Sequence, residues 1–92
     1  MWLGGTALAL FVGCGHPASK EECLEIFDRS AAIELELQNV QDPAIVQERI
    51  ERARADRGEE LLRQCVGRRI TDRAMRCVRE AKSSKELDQC LM

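Results

Sequence analysis

Four cysteines, Cys23, Cys65, Cys77 and Cys90, are scattered through a polar, charge-rich stretch of chain too short to rely on an apolar core alone. Setting aside the first 13 of the 92 residues leaves 79. At that size buried hydrocarbon supplies only roughly 3 to 5 kcal/mol, and some staple is needed. An even number of cysteines with no CxxC pair among them supplies it as two disulfides, provided that the compartment is oxidising. In a reducing one the same residues would be free thiols. Fold and compartment are therefore one question, and the N-terminal residues bear on it.

Residues 1 to 13 contain no charged side chain, so all 14 Lys plus Arg and all 16 Asp plus Glu lie beyond them. Leu8 to Val12 form an apolar run that ends at the small residue Gly13 and then Cys14. The run is too short to cross a bilayer, which takes about 20 apolar residues. Its length and its small terminal residue fit the apolar stretch and cleavage site of a secretory signal.

Phe11, Val12, Gly13 and Cys14 resemble the lipobox of bacterial lipoproteins: an apolar residue, a small or β-branched one, Gly or Ala, then Cys. Phe11 stands where Leu is usual, and no Lys or Arg precedes the apolar run, which a start further upstream would explain. The resemblance implies cleavage after Gly13, a diacylglyceryl group on the Cys14 thiol and acylation of the new α-amino group, with fatty chains such as palmitate. Cysteine parity agrees, because lipidation of Cys14 leaves four cysteines to pair. Two or more acyl chains hold a protein stably in a membrane, at about 0.8 kcal/mol per buried methylene. Gly15 stands where an Asp would signal inner-membrane retention, so the resemblance implies an outer-membrane anchor facing the periplasm. The expected organisation is a signal peptide over 1–13, a lipidated tether over 14–19 with Gly and Pro punctuation, and a helical domain over 20–92.

Within the body the apolar period is helical. Ser19 and Glu22 form a capping-box pattern that opens a helix from about Lys20 to Val40. Its stripe is Cys23, Ile26, Ser30, Ile33, Leu37 and Val40, widened by Leu24, Phe27, Ala31 and Leu35. Asp42 caps a second helix with Pro43 at its first position, where a fixed φ and a missing N–H cost nothing. It should run to about Val66, turning Ile45, Ile50, Ala53, Leu61 and Cys65 inward, with Gly58 as its weak point and Gly67 as its end. Thr71 caps a third helix to about Ala81, with Ala74, Cys77, Val78 and Ala81 on one side. Ser83 and Glu86 form another capping-box pattern, opening a short fourth that carries Leu87, Cys90 and Leu91. No strand pattern competes. The predicted fold is all-α: a small disulfide-stapled antiparallel bundle of two long and two short helices.

Four cysteines allow three pairings. Antiparallel helices rising about 1.5 Å per residue, with turns near 41, 68 and 82, put Cys23 level with Cys77 and Cys65 within about one turn of Cys90. Cys23 with Cys77 and Cys65 with Cys90 is thus the favoured scheme, followed by Cys23 with Cys65 and Cys77 with Cys90.

Residues that carry chemistry are scarce. His16 stands alone beside Pro17 with no partner placed by the sequence, whereas acid–base work needs a group held within hydrogen-bond reach. Cys65, Cys77 and Cys90 lack the tight knuckle spacing of a zinc site. There is no glycine-rich phosphate loop, GxSxG or HExxH. No enzyme activity, metal, cofactor or small-molecule substrate is expected.

Charge is uneven. Residues 15–62 carry six basic and twelve acidic side chains, whereas residues 63–82 carry seven basic ones against Asp72 and Glu80. Arg68, Arg69, Arg73, Arg76 and Arg79 form a candidate basic patch for anionic headgroups, cell-wall polymer or an acidic partner. The plainer reading is that they complement the acidic first helix within the bundle. Nucleic acid is not expected, for lack of aromatic residues to stack on bases. Eleven Arg to three Lys, with the helical body and cysteine layout, loosely resemble the small four-cysteine lipoproteins of myxobacteria and their relatives. The expected function is a lipid-anchored, non-catalytic envelope module that contacts a protein partner. The alternatives are a structural coiled-coil homo-oligomer and a specific inhibitor or immunity factor.

Overall fold

The computed structural model describes residues 15–92; the leader and Cys14, the expected lipidation site, lie outside the described residues. The body is all-α, as predicted, with four helices: α1 (Lys20–Leu37), α2 (Pro43–Cys65), α3 (Asp72–Glu80) and α4 (Ser84–Cys90). The caps read from the sequence are in place. The Ser19 hydroxyl accepts from the Glu22 amide while the Glu22 carboxylate accepts from the Ser19 amide, closing the box reciprocally. Asp42 accepts from Ala44 N with Pro43 in the first turn, and Thr71 accepts from Ala74 N. Ser83 accepts from Glu86 N, but the Glu86 carboxylate reaches one residue further back, to the Lys82 amide.

The helix ends fall slightly earlier than the periodicity predicts. α1 stops at Leu37, and Asn39 takes a left-handed φ of 62° in the connector, a conformation that asparagine tolerates better than most residues. Leu37 is left 74% exposed, not buried.

α1 is the axis of the fold. α2 lies antiparallel on it, with Arg54 on Asp28 and Cys65 on Cys23. α3 runs alongside α1 in the same direction, with Met75 in the cluster of Cys23, Arg79 on Glu25 and the Ala81 carbonyl on Arg29. The core divides into two clusters that share Ile26. One gathers Ala18, Cys23, Ile70 and Met75 with Leu62, Cys65 and Ala74; the other gathers Ile33, Val78, Ala81 and Leu87 with Cys90. On α2 the inward stripe passes through the buried Ile50 and Gly58 and the half-buried Leu62 and Cys65, so Leu61 and Ile45, predicted inward, are exposed, as is Leu91 on the last turn. Leu61 and Leu62 differ by about 100° around the helix, and the contact with α1 selects the second.

The cysteines pair as Cys23–Cys65 and Cys77–Cys90, with Cα–Cα separations of 6.0 and 5.5 Å. This is the second of the two predicted schemes, and the favoured one is overturned. Axial level alone cannot choose a partner, because azimuth matters equally. Met75 and Val78 are the α3 residues buried against the core. At 100° per residue Cys77 lies about 160° around from Met75, turned from Cys23 toward α4 and Cys90. Cys23 is left facing the last turn of α2.

Residues 15–19, predicted to be a loose tether, are instead part of the body. His16–Pro17 (β1) pairs antiparallel with Arg69–Ile70 (β2), in the register His16 to Ile70 and Pro17 to Arg69. The ladder continues past Pro17, which has no N–H to give, through Ala18 N to the Arg68 carbonyl at 2.7 Å and Gly67 N to the Ala18 carbonyl at 2.9 Å. Ala18 is buried in the first core cluster. The expectation of no strand is corrected at this one short bridge.

Candidate functional site

The strap formed by residues 15–18 carries His16 to the first turns of α1 and α3 and brings Gly15 to Arg69. Gly15 opens it with φ +127°, and a Cβ there would come within 2.8 Å of the Ile70 carbonyl oxygen. Only glycine fits that close approach without a shift of backbone. Its own carbonyl accepts from Arg69 Nη1 at 3.0 Å. The residue that follows Cys14 is therefore tied to the bundle by strand pairing and by a guanidinium.

His16, isolated in the sequence, gains partners in the fold. Its Nε2 lies 2.8 Å from Glu22 Oε2, and its Nδ1 lies 4.0 Å from Asp72 Oδ1 at the start of α3. Glu22 is held below the usual carboxylate range, first by the Ser19 amide that it accepts and then by the His16 ring. The hydroxyls of Ser19 and Thr71 are committed to the helix amides that they cap. The arrangement ties the strap to the first turns of α1 and α3. Among the described residues no three or more His, Cys, Asp or Glu side chains are placed to hold a metal ion.

The five predicted patch arginines separate into two groups. Arg79 is paired on the surface between α3 and α1, with its Nε 2.5 Å and its Nη2 3.1 Å from the Glu25 carboxylate. Glu25 is depressed below the ordinary carboxylate value mainly by that contact. For Arg79 the plainer reading, complementarity with the acidic first helix, describes the geometry. Arg68, Arg69, Arg73 and Arg76 are exposed and form no ion pair among the described residues. Arg69 is on β2, opposite the strap, Arg68 is one residue before it, and Arg73 and Arg76 lie on the first two turns of α3. Arg73 and Arg76 also line an open cleft of about 510 Å³ with Cys77, Glu80, Glu86 and Cys90, a surface of mixed charge.

A second cleft, about 240 Å³ and mostly apolar, opens between α1, α2 and α4, lined by Leu24, Phe27, Gly58, Leu61, Leu87 and Leu91. No titratable group other than Asp88 lines it. No helix among the described residues is long and apolar enough to cross a membrane.

Sequence reasoning missed the strap. One local signal was present: the residue before a proline is pushed toward extended backbone, which favours a strand at His16. Its partner, Arg69–Ile70, carries no comparable mark. Comparison of the chain with protein-family models, curated proteins and solved structures finds no match in any of the three.

Proposed function

We propose that this protein is a lipid-anchored lipoprotein of the bacterial cell envelope, held in the outer membrane by acyl chains on Cys14, and that its stapled bundle is a non-catalytic module that contacts a protein partner in the periplasm. The observation that carries the reading is the coincidence of two features. Phe11 to Cys14 resemble a lipobox, and the four remaining cysteines all fall within bonding distance of one another in two pairs. Paired cysteines persist in oxidising compartments, which is where a processed lipoprotein would place this body. A cytosolic location would leave both features without a purpose.

An interaction role is supported by what is exposed. Leu37 and Ile45 flank the α1–α2 connector and are 74% and 42% exposed, an apolar tip at the far end of the hairpin from the strap. Arg68, Arg73 and Arg76 are free of ion pairs among the described residues, which suits an acidic counterpart.

Intact-mass measurement of the chain purified from bacterial membranes without reductant tests the reading. The expected species lacks residues 1–13, carries the added mass of fatty chains and is lighter by two disulfides. Cys14→Ser should abolish both cleavage and partitioning into detergent. A chain that retains residues 1–13 with an unmodified Cys14 would refute lipidation whatever the state of the other cysteines.

A further inference from the structure

Gly15 is one peptide bond from the proposed anchor, about 3.8 Å between α-carbons. It is also fixed to the body by the approach to the Ile70 carbonyl, the Arg69 hydrogen bond and the pairing of His16 with Ile70. A lipoprotein with a free linker can hold its domain well away from the bilayer at any angle. Here no residue is left over to act as a linker.

We infer that the bundle is seated on the membrane in one fixed orientation, with Arg68, Arg69 and Arg73 meeting the headgroups of anionic phospholipids beside the anchor. The inference rests on lipidation of Cys14. Three placements carry it. Arg69 is bonded to Gly15 itself. Arg68 lies at the other end of the strap, where its carbonyl receives Ala18 N. Arg73 is on the first turn of α3, next to the start marked by Thr71, whose methyl is 3.3 Å from where a Cβ on Gly15 would be. All three side chains are exposed and without an ion pair among the described residues. Asp72, the acidic residue among them, has His16 within 4.0 Å.

A basic group close to an anionic surface raises association roughly fivefold, and the attraction falls off within a Debye length of about 8 Å at physiological salt. An anchor that leaves no slack holds this cluster inside that range. The acyl chains already retain the protein, so the arginines fix the face that is presented. The α1–α2 connector, with Leu37 and Ile45, then points away from the bilayer into the periplasm.

The test uses the full chain, processed in a bacterial host and reconstituted into phosphatidylcholine vesicles with or without phosphatidylglycerol, with amide hydrogen exchange as the readout. Residues 68–73 should exchange at least several-fold more slowly when phosphatidylglycerol is present, with 43–57 unchanged. High salt, and the combined variant Arg68→Gln, Arg69→Gln, Arg73→Gln, should each remove that protection. Equal exchange of 68–73 in the two kinds of vesicle, or protection that survives high salt, would overturn the headgroup contact. The salt arm needs no variant, so a folding defect in the triple substitution does not obscure the answer. A chain that fails to float with the vesicles, or has the mass of an unacylated one, refutes lipidation itself and the inference with it. That result is read before exchange begins.

Discussion

Removing one disulfide at a time should show that the two bridges differ in weight. Cys23–Cys65 closes a loop of 42 residues and Cys77–Cys90 one of 13. The chain-entropy estimate gives about 4 kcal/mol for the first and about 3 kcal/mol for the second, a gap of about 1 kcal/mol. Burial widens the gap. Cys23 is 4% exposed at the centre of a core cluster, so truncation there also leaves a small cavity, costing about 1 kcal/mol more, whereas Cys77 is exposed and leaves none. Cys23→Ala with Cys65→Ala should therefore cost about 2 kcal/mol more than Cys77→Ala with Cys90→Ala. The assay is urea unfolding of the protein followed by helical circular dichroism, with midpoints compared at a fixed denaturant slope. For a body of this size each kcal/mol also moves Tm by about 4 to 8 °C. Equal losses, or a larger loss at Cys77–Cys90, would refute the assignment of the heavier staple to the α1–α2 pair. Non-reducing peptide mapping that joined Cys23 to Cys77 would refute the connectivity.

Gly58 is buried in α2 with a helical φ, and the nearest atom to a methyl added there would be Arg54 Cβ at 3.7 Å, an ordinary contact. Gly58→Ala should accordingly stabilise the protein by about 0.5 to 1 kcal/mol in the same urea titration; a loss would mean that the cleft beside it cannot accept one carbon. Glu22 and Glu25 both sit below the ordinary glutamate value of 4.5 in the folded state. For a depressed carboxylate the stabilising contribution is complete above the unfolded value and is lost as pH falls through the folded one. The urea midpoint should thus be level above about pH 5 and fall progressively below 4.5, and Glu25→Gln should flatten part of that fall. A midpoint that holds level down to about pH 2 would show that neither contact contributes.

What the sequence made legible is local. Ser19 with Glu22, Asp42 with Pro43, Thr71 and Ser83 each announce a helix start within three residues, and each of these N-caps forms, although the box expected of Ser83 and Glu86 closes only on the Ser83 side. These signals depend on backbone amides close in sequence, so tertiary context has little with which to override them. Azimuth was legible only in part. Ile33, Ile50 and Val78 are buried as their spacing predicts, while Leu61 gives way to Leu62 and Cys77 turns from α1 to α4. A broad apolar stripe fixes a face to within about one residue, and one residue is about 100°, enough to exchange a disulfide partner. The strap was the least legible element, since its bonds join residues about fifty positions apart.

The two bridges and the strap are better understood together than as separate devices. Among the described residues ten form the buried core, two alanines and one cysteine among them, and they fall largely into two clusters that share Ile26. Neither cluster is large enough to secure its own helices. Cys23–Cys65 closes the first, where Ala18 of the strap and Ile70 of its partner β2 also sit, and Cys77–Cys90 closes the second against α4. The strap therefore supplies a wall of the first cluster. Any pull transmitted through Gly15 meets antiparallel backbone bonds backed by a disulfide within the same cluster. The glycine at position 15 that lets the chain approach Ile70, and the burial of Ala18, make the strap a packed part of the bundle and not an appendage to it.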